Sequence, residues 1–329
     1  MTTPDVLVVG AGPTGIAVGA ELVRSGATVL LLDQGPLCAS LQAYPTDLEF
    51  FTTRERLEIA GVPFAIPEVK PSRRQALVYY REVVRRYELP LALEEAVVAI
   101  TPEAHGFEVT SERDGHRRRR RAGAVVVATG YFTHPRRLAV PGTDAPWVHH
   151  RYLEPYAHFG QRVVVVGGGN SAAKIALDLW RNGSEVTVVH RRADFKPSLK
   201  YWIRPDLDNR LAEGSIVARF ETVVTGFETG AEGRRVHLQG PDGTAVLDVD
   251  AVYVQIGYEP DPGLLVAAGV RVDPESRVPE FDEATCETAV PGLYVAGTVQ
   301  AGIHTNRLFI ENSRDHGTKI AAHWAARRR

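Results

Sequence analysis

Gly10-Ala11-Gly12-Pro13-Thr14-Gly15 follows directly on the apolar run Val6-Leu7-Val8-Val9 and opens a helical pattern. With this spacing a strand turns into a helix around a pyrophosphate. The first glycine makes the tight turn, the second lets the backbone approach the phosphates, and the third lets helix and strand pack closely. A second run, Thr28 to Leu32, ends in Asp33, whose carboxylate can accept hydrogen bonds from ribose hydroxyls and disfavours a 2′-phosphate. Gly167-Gly168-Gly169-Asn170-Ser171-Ala172 repeats the pattern after Val163–Val166, with Ala172 in the third small position. There the following strand, Glu185 to Val189, runs into His190-Arg191-Arg192, and Lys196 stands four residues further on. Arginines at the ribose end suit the doubly charged 2′-phosphate of NADPH through bidentate hydrogen bonds. Two dinucleotide sites, one acidic and one basic at the ribose, point to hydride transfer between NADPH and a bound flavin, FAD.

The elements that must hold these turns are readable from length and pattern. At roughly 150 residues per domain, 329 residues make about two domains. With 44% hydrophobic and 24% charged residues, fibrous, disordered and collagen-like classes are excluded. The near balance of 38 basic and 40 acidic residues lacks the positive field of a nucleic-acid binder. No basic stretch precedes Val6, so the first apolar run reads as a strand and not a signal peptide. No uninterrupted apolar run reaches membrane-spanning length, and no membrane association is expected. Cys38 and Cys286 are too few and too distant for a C-x-x-C pair, a zinc cluster or a disulfide framework, so no metal is expected and a cytoplasmic protein is the simplest reading.

Val-rich runs ending in glycine, at Val6–Gly10, Val163–Gly167 and Leu293–Gly297, alternate with helical patterns. That texture predicts an α/β fold with parallel strands buried on both faces. The near-copy units predict two Rossmann-like three-layer domains, the second inserted in the first. Connections rich in Pro and Gly at 131–161 and 257–263 mark the crossings. Residues 1–131 and 259–329 are expected to form the FAD-binding domain and 132–258 the NADPH-binding domain, with a final helix from about Arg307. Arg117–Arg121 follows the turn signal Arg113-Asp114-Gly115-His116 and reads as the solvated arm of a hairpin joining Phe107–Ser111 to Ala124–Ala128.

Ala128-Thr129-Gly130, Gly167–Ser171, His190-Arg191-Arg192 and Val290–Gly297 together resemble the thioredoxin-reductase-like flavoproteins over the whole chain. Tyr44-Pro45-Thr46, Phe50-Phe51, Tyr79-Tyr80-Arg81, Lys200-Tyr201-Trp202 and Phe309-Ile310-Glu311-Asn312 with Arg314, His316 and Gly317 are similar to the bacillithiol-disulfide reductase branch of that group. The resemblance implies an NADPH-dependent FAD enzyme that reduces the disulfide of a low-molecular-weight thiol and assembles as a homo-oligomer, dimer or tetramer. It implies a flavin site of Gly10, Gly12, Pro13, Gly15, Asp33, Gln34, Tyr44, Thr46, Val97, Ala128, Thr129, Gly130, Gly297, Thr298 and Ile310. The NADPH site it implies comprises Gly167, Gly169, Asn170, Ser171, Arg191, Arg192 and Lys196.

The chain departs from its relatives where they keep thiols. Members of the branch usually carry a cysteine at the position of Thr14, and thioredoxin reductases carry C-x-x-C in the inserted domain; this sequence has neither. Threonine forms no mixed disulfide, so electrons are expected to leave from the flavin itself. Thr14, Glu311 and His316 are then the catalytic candidates, the first as a hydrogen-bonding group and the other two as titratable groups able to protonate a leaving thiolate. Thr298 replaces the usual Asp and can hydrogen-bond without adding charge. Cys38 and Cys286 read as packed, small apolar side chains. Two alternatives share the architecture. One is a ferredoxin or flavodoxin:NADP reductase, with Arg117–Arg121 offered to a small acidic electron-transfer protein. The other is a flavin sensor or slow NADPH oxidase.

Overall fold

The computed structural model describes residues 3–231 and 233–328. The chain forms two compact units, one of the residues up to His134 together with those from Tyr258 onward, the other of Pro135–Gly257. The first unit begins with β1 (Val6–Val9), β2 (Val29–Leu32), β3 (Leu91–Ala92), β4 (Ala96–Glu103), β5 (Gly106–Arg113), β6 (His116–Ala122) and β7 (Ala124–Val127). The second holds β8 (Val148–His149), β9 (Arg162–Val166), β10 (Glu185–Val189), β11 (Ile216–Arg219), β12 (Val223–Gly230), β13 (Gly233–Gly240), β14 (Gly243–Val249) and β15 (Ala251–Val254). β16 (Leu293–Val295) returns to the first.

Each unit contains a five-stranded parallel sheet, in the orders β16-β7-β1-β2-β3 and β11-β10-β9-β15-β8, and a three-stranded antiparallel one, β4-β5-β6 and β12-β13-β14. The duplicated α/β plan is the one the Val-rich runs predict. β1 sits between β2 and β7, with Val6 opposite both Val29 and Ala124. All four of its residues are buried, because a central parallel strand is covered on both faces. The helix Pro13–Arg24 lays Ile16, Ala17, Val18, Ala20 and Leu22 into the same core. Each buried Leu or Ile there contributes roughly 1.5–3 kcal/mol. The last helix, His316–Arg327, crosses it in direct backbone contact: a Cβ on Gly317 would lie 2.8 Å from the carbonyl oxygen of Ala17.

Two expectations are corrected. The hairpin of the first unit joins β5 to β6, so the arginine run is itself a strand, paired from Phe107↔Ala122 to Arg113↔His116. Ala124–Val127, expected to be its second arm, is a separate strand of the parallel sheet, because Ala-Val-Val-Val is apolar on both faces and buries both. The C-terminal helix is also interrupted. A short turn, Ile310–Ser313, precedes His316–Arg327. The Asn312 side chain closes it, accepting from Phe309 N–H at 2.6 Å and donating to Arg307 O at 2.8 Å.

β6 sorts its arginines by face. Arg118 and Arg120 face inward with Ser111 and reach the buried Glu95. Arg117, Arg119 and Arg121 face outward and pair with Glu112, Glu108 and Glu103 at 3.6, 3.7 and 3.0 Å. Among the described residues no helix is long and apolar enough to cross a membrane, and no cluster of His, Cys, Asp or Glu is arranged to hold a metal ion.

Candidate functional site: two dinucleotide turns

Three glycines of the first turn carry three different loads. Gly10 has φ +114°, and a Cβ there would lie 2.4 Å from Ala128 O, so only glycine fits between β1 and the end of β7. A Cβ on Gly15 would meet Gly10 O at 1.9 Å, which locks the helix against the turn. A Cβ on Gly12 would meet nothing within 4 Å. That open face lies at the N-terminus of the Pro13–Arg24 helix, which has no side-chain cap, so its amides are available to an anion. Asp33 closes the turn from below, its two oxygens accepting Ala11 N–H at 2.7 Å and Gly35 N–H at 2.9 Å. Burial pushes its carboxyl above the usual range against the pull of these bonds. Each oxygen keeps a lone pair for a ribose hydroxyl.

The remaining candidates of this site scatter in exposure. Gln34 and Thr46 are exposed, while Tyr44 is half-buried with its ring edge on Phe132 at 4.7 Å. Val97 lies half-buried on β4, and Ile310 starts the short C-terminal turn. Ala128 donates its N–H to Val9 O at 2.7 Å. Gly130, at φ +67°, stands where a Cβ would be 3.2 Å from Thr298 Oγ1, so the Thr129-Gly130 turn and the Thr298 hydroxyl are neighbours.

Thr14, His316 and Gly297 form one assembly, and Glu311 stands apart from it. Gly297 has φ +75°, and a Cβ on it would lie 2.8 Å from Thr14 Oγ1. His316 Nδ1 accepts the Gly297 N–H at 3.1 Å, so the ring carries its proton on Nε2, and burial lowers its pKa. The Thr14 hydroxyl lies 3.2 Å from Ser313 Oγ, which itself donates to Phe309 O at 2.8 Å. Since the serine proton is used, Thr14 is the donor to Ser313. Two of the three catalytic candidates are thus committed to internal hydrogen bonds. Glu311 is half-buried and makes none among the described residues. Ser313, fully buried, is a member of this assembly that the sequence reading missed. Its partner is 299 positions away, so nothing local marks it.

The second turn repeats the first with a different ribose end. Gly167, at φ +146°, would place a Cβ 2.4 Å from Gln255 O, and on Gly168 it would strike the His190 ring at 2.4 Å. Gly168 is therefore required by His190, a pairing that sequence inspection did not single out. Asn170 straps the neighbouring loop, donating to Ser198 O at 3.2 Å and accepting Lys200 N–H at 2.9 Å, while Lys196 N–H donates to Gly168 O at 2.9 Å. Arg191, Arg192, Lys196 and Ser171 are all exposed. The three cations make no ion pair among the described residues, so they are available to an anionic ligand. Burial, followed by Lys196, Arg192 and Arg191, holds the His190 pKa below its ordinary value and keeps it from adding a fourth charge.

Neither thiol is near reactive. Cys38 and Cys286 are free and 1% exposed, and burial raises both pKa values. Replacing both by alanine is expected to leave NADPH-driven turnover within about twofold of the parent, because a buried high-pKa thiol is not a nucleophile. Loss of substrate-dependent flavin reoxidation in the double variant would show that one of them carries electrons. A cavity of about 660 Å³ among Asp5, Gly106, Gly123, Trp324 and Arg328 opens at the N-terminal edge of β1 and β7 and contains none of the candidate residues.

Comparisons with known proteins give the family and the fold. The family described as pyridine nucleotide-disulphide oxidoreductase matches residues 7–297. Bacilliredoxin reductase Bdr of Bacillus subtilis (strain 168) is 36% identical over 328 residues, 99% of each chain. The solved structure of bacillithiol disulfide reductase Bdr from Bacillus cereus superposes with a TM-score of 0.95 at 34% identity, over 99% of this chain and 100% of that one. The enzyme of the same name from Staphylococcus aureus gives 0.92 at 33%, over 100% of both. Ferredoxin--NADP reductase of Ignicoccus hospitalis is 28% identical over 308 residues, 90% of each chain. With a family match over residues 7–297 and a relative 36% identical along the whole chain, this chain belongs to the pyridine nucleotide-disulphide oxidoreductase family.

Proposed function

We propose that this oxidoreductase binds FAD at the first turn and NADPH at the second, and reduces the disulfide of a low-molecular-weight thiol of the bacillithiol type without a cysteine of its own in the electron path. The opposite ribose ends carry the reading: Asp33 on one, and on the other Arg191, Arg192 and Lys196, which make no ion pair among the described residues. The unit holding β1 and β16 is then the FAD domain and the unit Pro135–Gly257 the NADPH domain. The names of the two solved structures, bacillithiol disulfide reductases, support the choice of acceptor, while the Bacillus subtilis relative is named for bacilliredoxin. Two free, buried cysteines suit a reducing compartment, and we place the enzyme in the cytoplasm.

The residues present fit both groups. The face above Gly12 is open to a pyrophosphate, and the helix amides there supply donors. Asp33 takes ribose hydroxyls, and Thr298 beside Gly130 offers a hydroxyl to the ribityl chain. When bound, FAD supplies two-electron chemistry, accepting hydride equivalents and delivering them to a disulfide. His316 fixes the Gly297 amide and stays neutral, so it orients the turn instead of delivering charge. Thr14, donating inward, presents only lone pairs outward. Glu311 remains as the titratable side chain free to face a substrate. The ferredoxin reading depends on a positive arm, and every arginine of Arg117–Arg121 is matched to a carboxylate.

Anaerobic NADPH oxidation measured against bacillithiol, coenzyme A and glutathione disulfides, with ferredoxin in a parallel arm, tests the reading. Turnover with a thiol disulfide and none with ferredoxin is the expected result. Rates with every disulfide equal to the rate without any added acceptor would overturn it.

A further inference from the structure

The arginine strand has a use that its outward face hides. Glu95 is 1% exposed, and its carboxylate accepts hydrogen bonds from Arg120, from Ser111 and, at 3.3 Å, from Arg118. Arg120 grips both carboxylate oxygens and also donates to Ser111 Oγ at 2.9 Å. Ser111 has no exposed surface. Burial pushes the Glu95 carboxyl up, but the Arg120 and Ser111 hydrogen bonds outweigh it and the net shift is down, so the group is held as an anion. A buried anion with one bidentate partner is a fixed point: moving it would strand a charge.

The backbone of the same residue is bonded to the first dinucleotide turn. Glu95 N–H donates to Asp33 O at 2.8 Å, and Glu94 N–H donates to Gly35 O at 3.2 Å. Glu94 adopts a left-handed conformation, φ +55°, which a side chain other than glycine tolerates only when its surroundings impose it. Asp33 and Gly35 thus form a small loop held from outside by residues 94 and 95, and inside that loop Asp33 Oδ1 accepts Gly35 N–H at 2.9 Å. One residue is clamped to the antiparallel sheet through its side chain and to the ribose-binding loop through its backbone.

We infer that Glu95, gripped by Arg120, is a positioning residue that sets the Asp33 carboxylate for the adenosine ribose of the flavin, and so couples the arginine strand to cofactor retention. This rests on the assignment of FAD to the first turn. Arg118 contributes one contact and is half in solvent, so Arg120 dominates. Arg119, on the opposite face of the same strand and paired with Glu108, is outside the linkage.

The test is the FAD dissociation constant of the holoenzyme, followed by the fluorescence of flavin released on dilution, with circular dichroism read on the same samples. Arg120→Ala is expected to weaken FAD retention about tenfold, the equivalent of one hydrogen bond to a charged group. Arg119→Ala should leave it unchanged. Asp33→Asn should weaken it by a similar factor, and the Arg120→Ala, Asp33→Asn double variant should be no weaker than Asp33→Asn alone, because both act through one carboxylate. General loosening of the fold would instead multiply the two effects. If Arg120→Ala proves too unstable to purify, Arg120→Lys, which keeps the charge but loses the bidentate grip, should show a smaller loss that is equally absent in the Asp33→Asn background. FAD retention equal to the parent in a folded Arg120 variant, or multiplicative losses, would overturn the inference. A parent protein that binds no FAD would instead refute the cofactor assignment.

Discussion

Replacing Arg191 and Arg192 together by alanine is expected to raise the KM for NADPH about a hundredfold while leaving the KM for NADH nearly unchanged. Both side chains are exposed at the end of β10 and make no ion pair among the described residues, so nothing inside the protein loses a partner when they are removed. The effect therefore falls on the ligand. A charge-assisted hydrogen bond to a phosphate is worth about 1.5 kcal/mol or more, about tenfold in affinity, and the proposed site would have two. NADH lacks the 2′-phosphate and senses neither. The ratio of kcat/KM for the two nucleotides should collapse by the same factor, with kcat held, since the contact is far from the transferred hydride. Raising ionic strength should shrink the parent's preference toward the variant's. An unchanged ratio would show that the phosphate is held elsewhere, by Lys196 or by the Ser198–Lys200 loop that Asn170 straps.

The second large effect compares one substitution at two glycines three residues apart. Gly15→Ala places a methyl 1.9 Å from Gly10 O, inside the backbone of the turn, where no rotamer change relieves it. Helix and strand must separate, and a destabilisation of about 3 kcal/mol or more follows from overpacking and the lost contacts of Ile16 and Leu22. Gly12→Ala meets no atom within 4 Å, and its backbone, φ −80° and ψ 179°, accepts alanine freely. That protein should melt within about 2 °C of the parent when both are stripped of flavin, yet lose FAD at least tenfold more readily, because the methyl occupies the face a pyrophosphate needs. Thermal melts of stripped protein and flavin release from holoenzyme separate the two outcomes. Equal melting losses in both variants would show that Gly12 is a packing residue.

Sequence alone exposed these turns because their chemistry is local. A glycine whose Cβ would collide with a carbonyl, or whose φ is +114° or +146°, is dictated by the backbone it sits in. Strands buried on both faces, such as β1 and β9, announce themselves as unbroken Val runs. The antiparallel sheets gave no such signal. β6 reads His-Arg-Arg-Arg-Arg-Arg-Ala, without apolar alternation, and its register is written in charge: each inward or outward arginine finds a carboxylate on β4, on β5 or at Glu95. The second of two adjacent acids, Glu95 after Glu94 and directly before the apolar Ala96-Val97, was the available clue to the buried end of that pairing. The internal hydrogen bonds of Thr14 and His316 were illegible for another reason. They join residues 299 and 19 positions apart, and only the packing of the C-terminal segment 310–327 against the first helix and the Gly297 turn brings them together.

The outermost place of β6 in its sheet has a consequence for how the protein keeps to itself. A sheet margin carries a row of backbone donors and acceptors able to recruit a strand from another molecule. Here that margin is seven residues long, and five of them are arginines projecting to both sides. A strand arriving to extend the sheet would have to lie beside this column of like charges, and a second copy of β6 would bring five more. The pairing with Glu95, Glu103, Glu108 and Glu112 satisfies the charges within the chain without removing the bulk and hydration that hold a newcomer off. The same residues that tie one end of the strand to the interior thus guard its other side against fibre-like stacking.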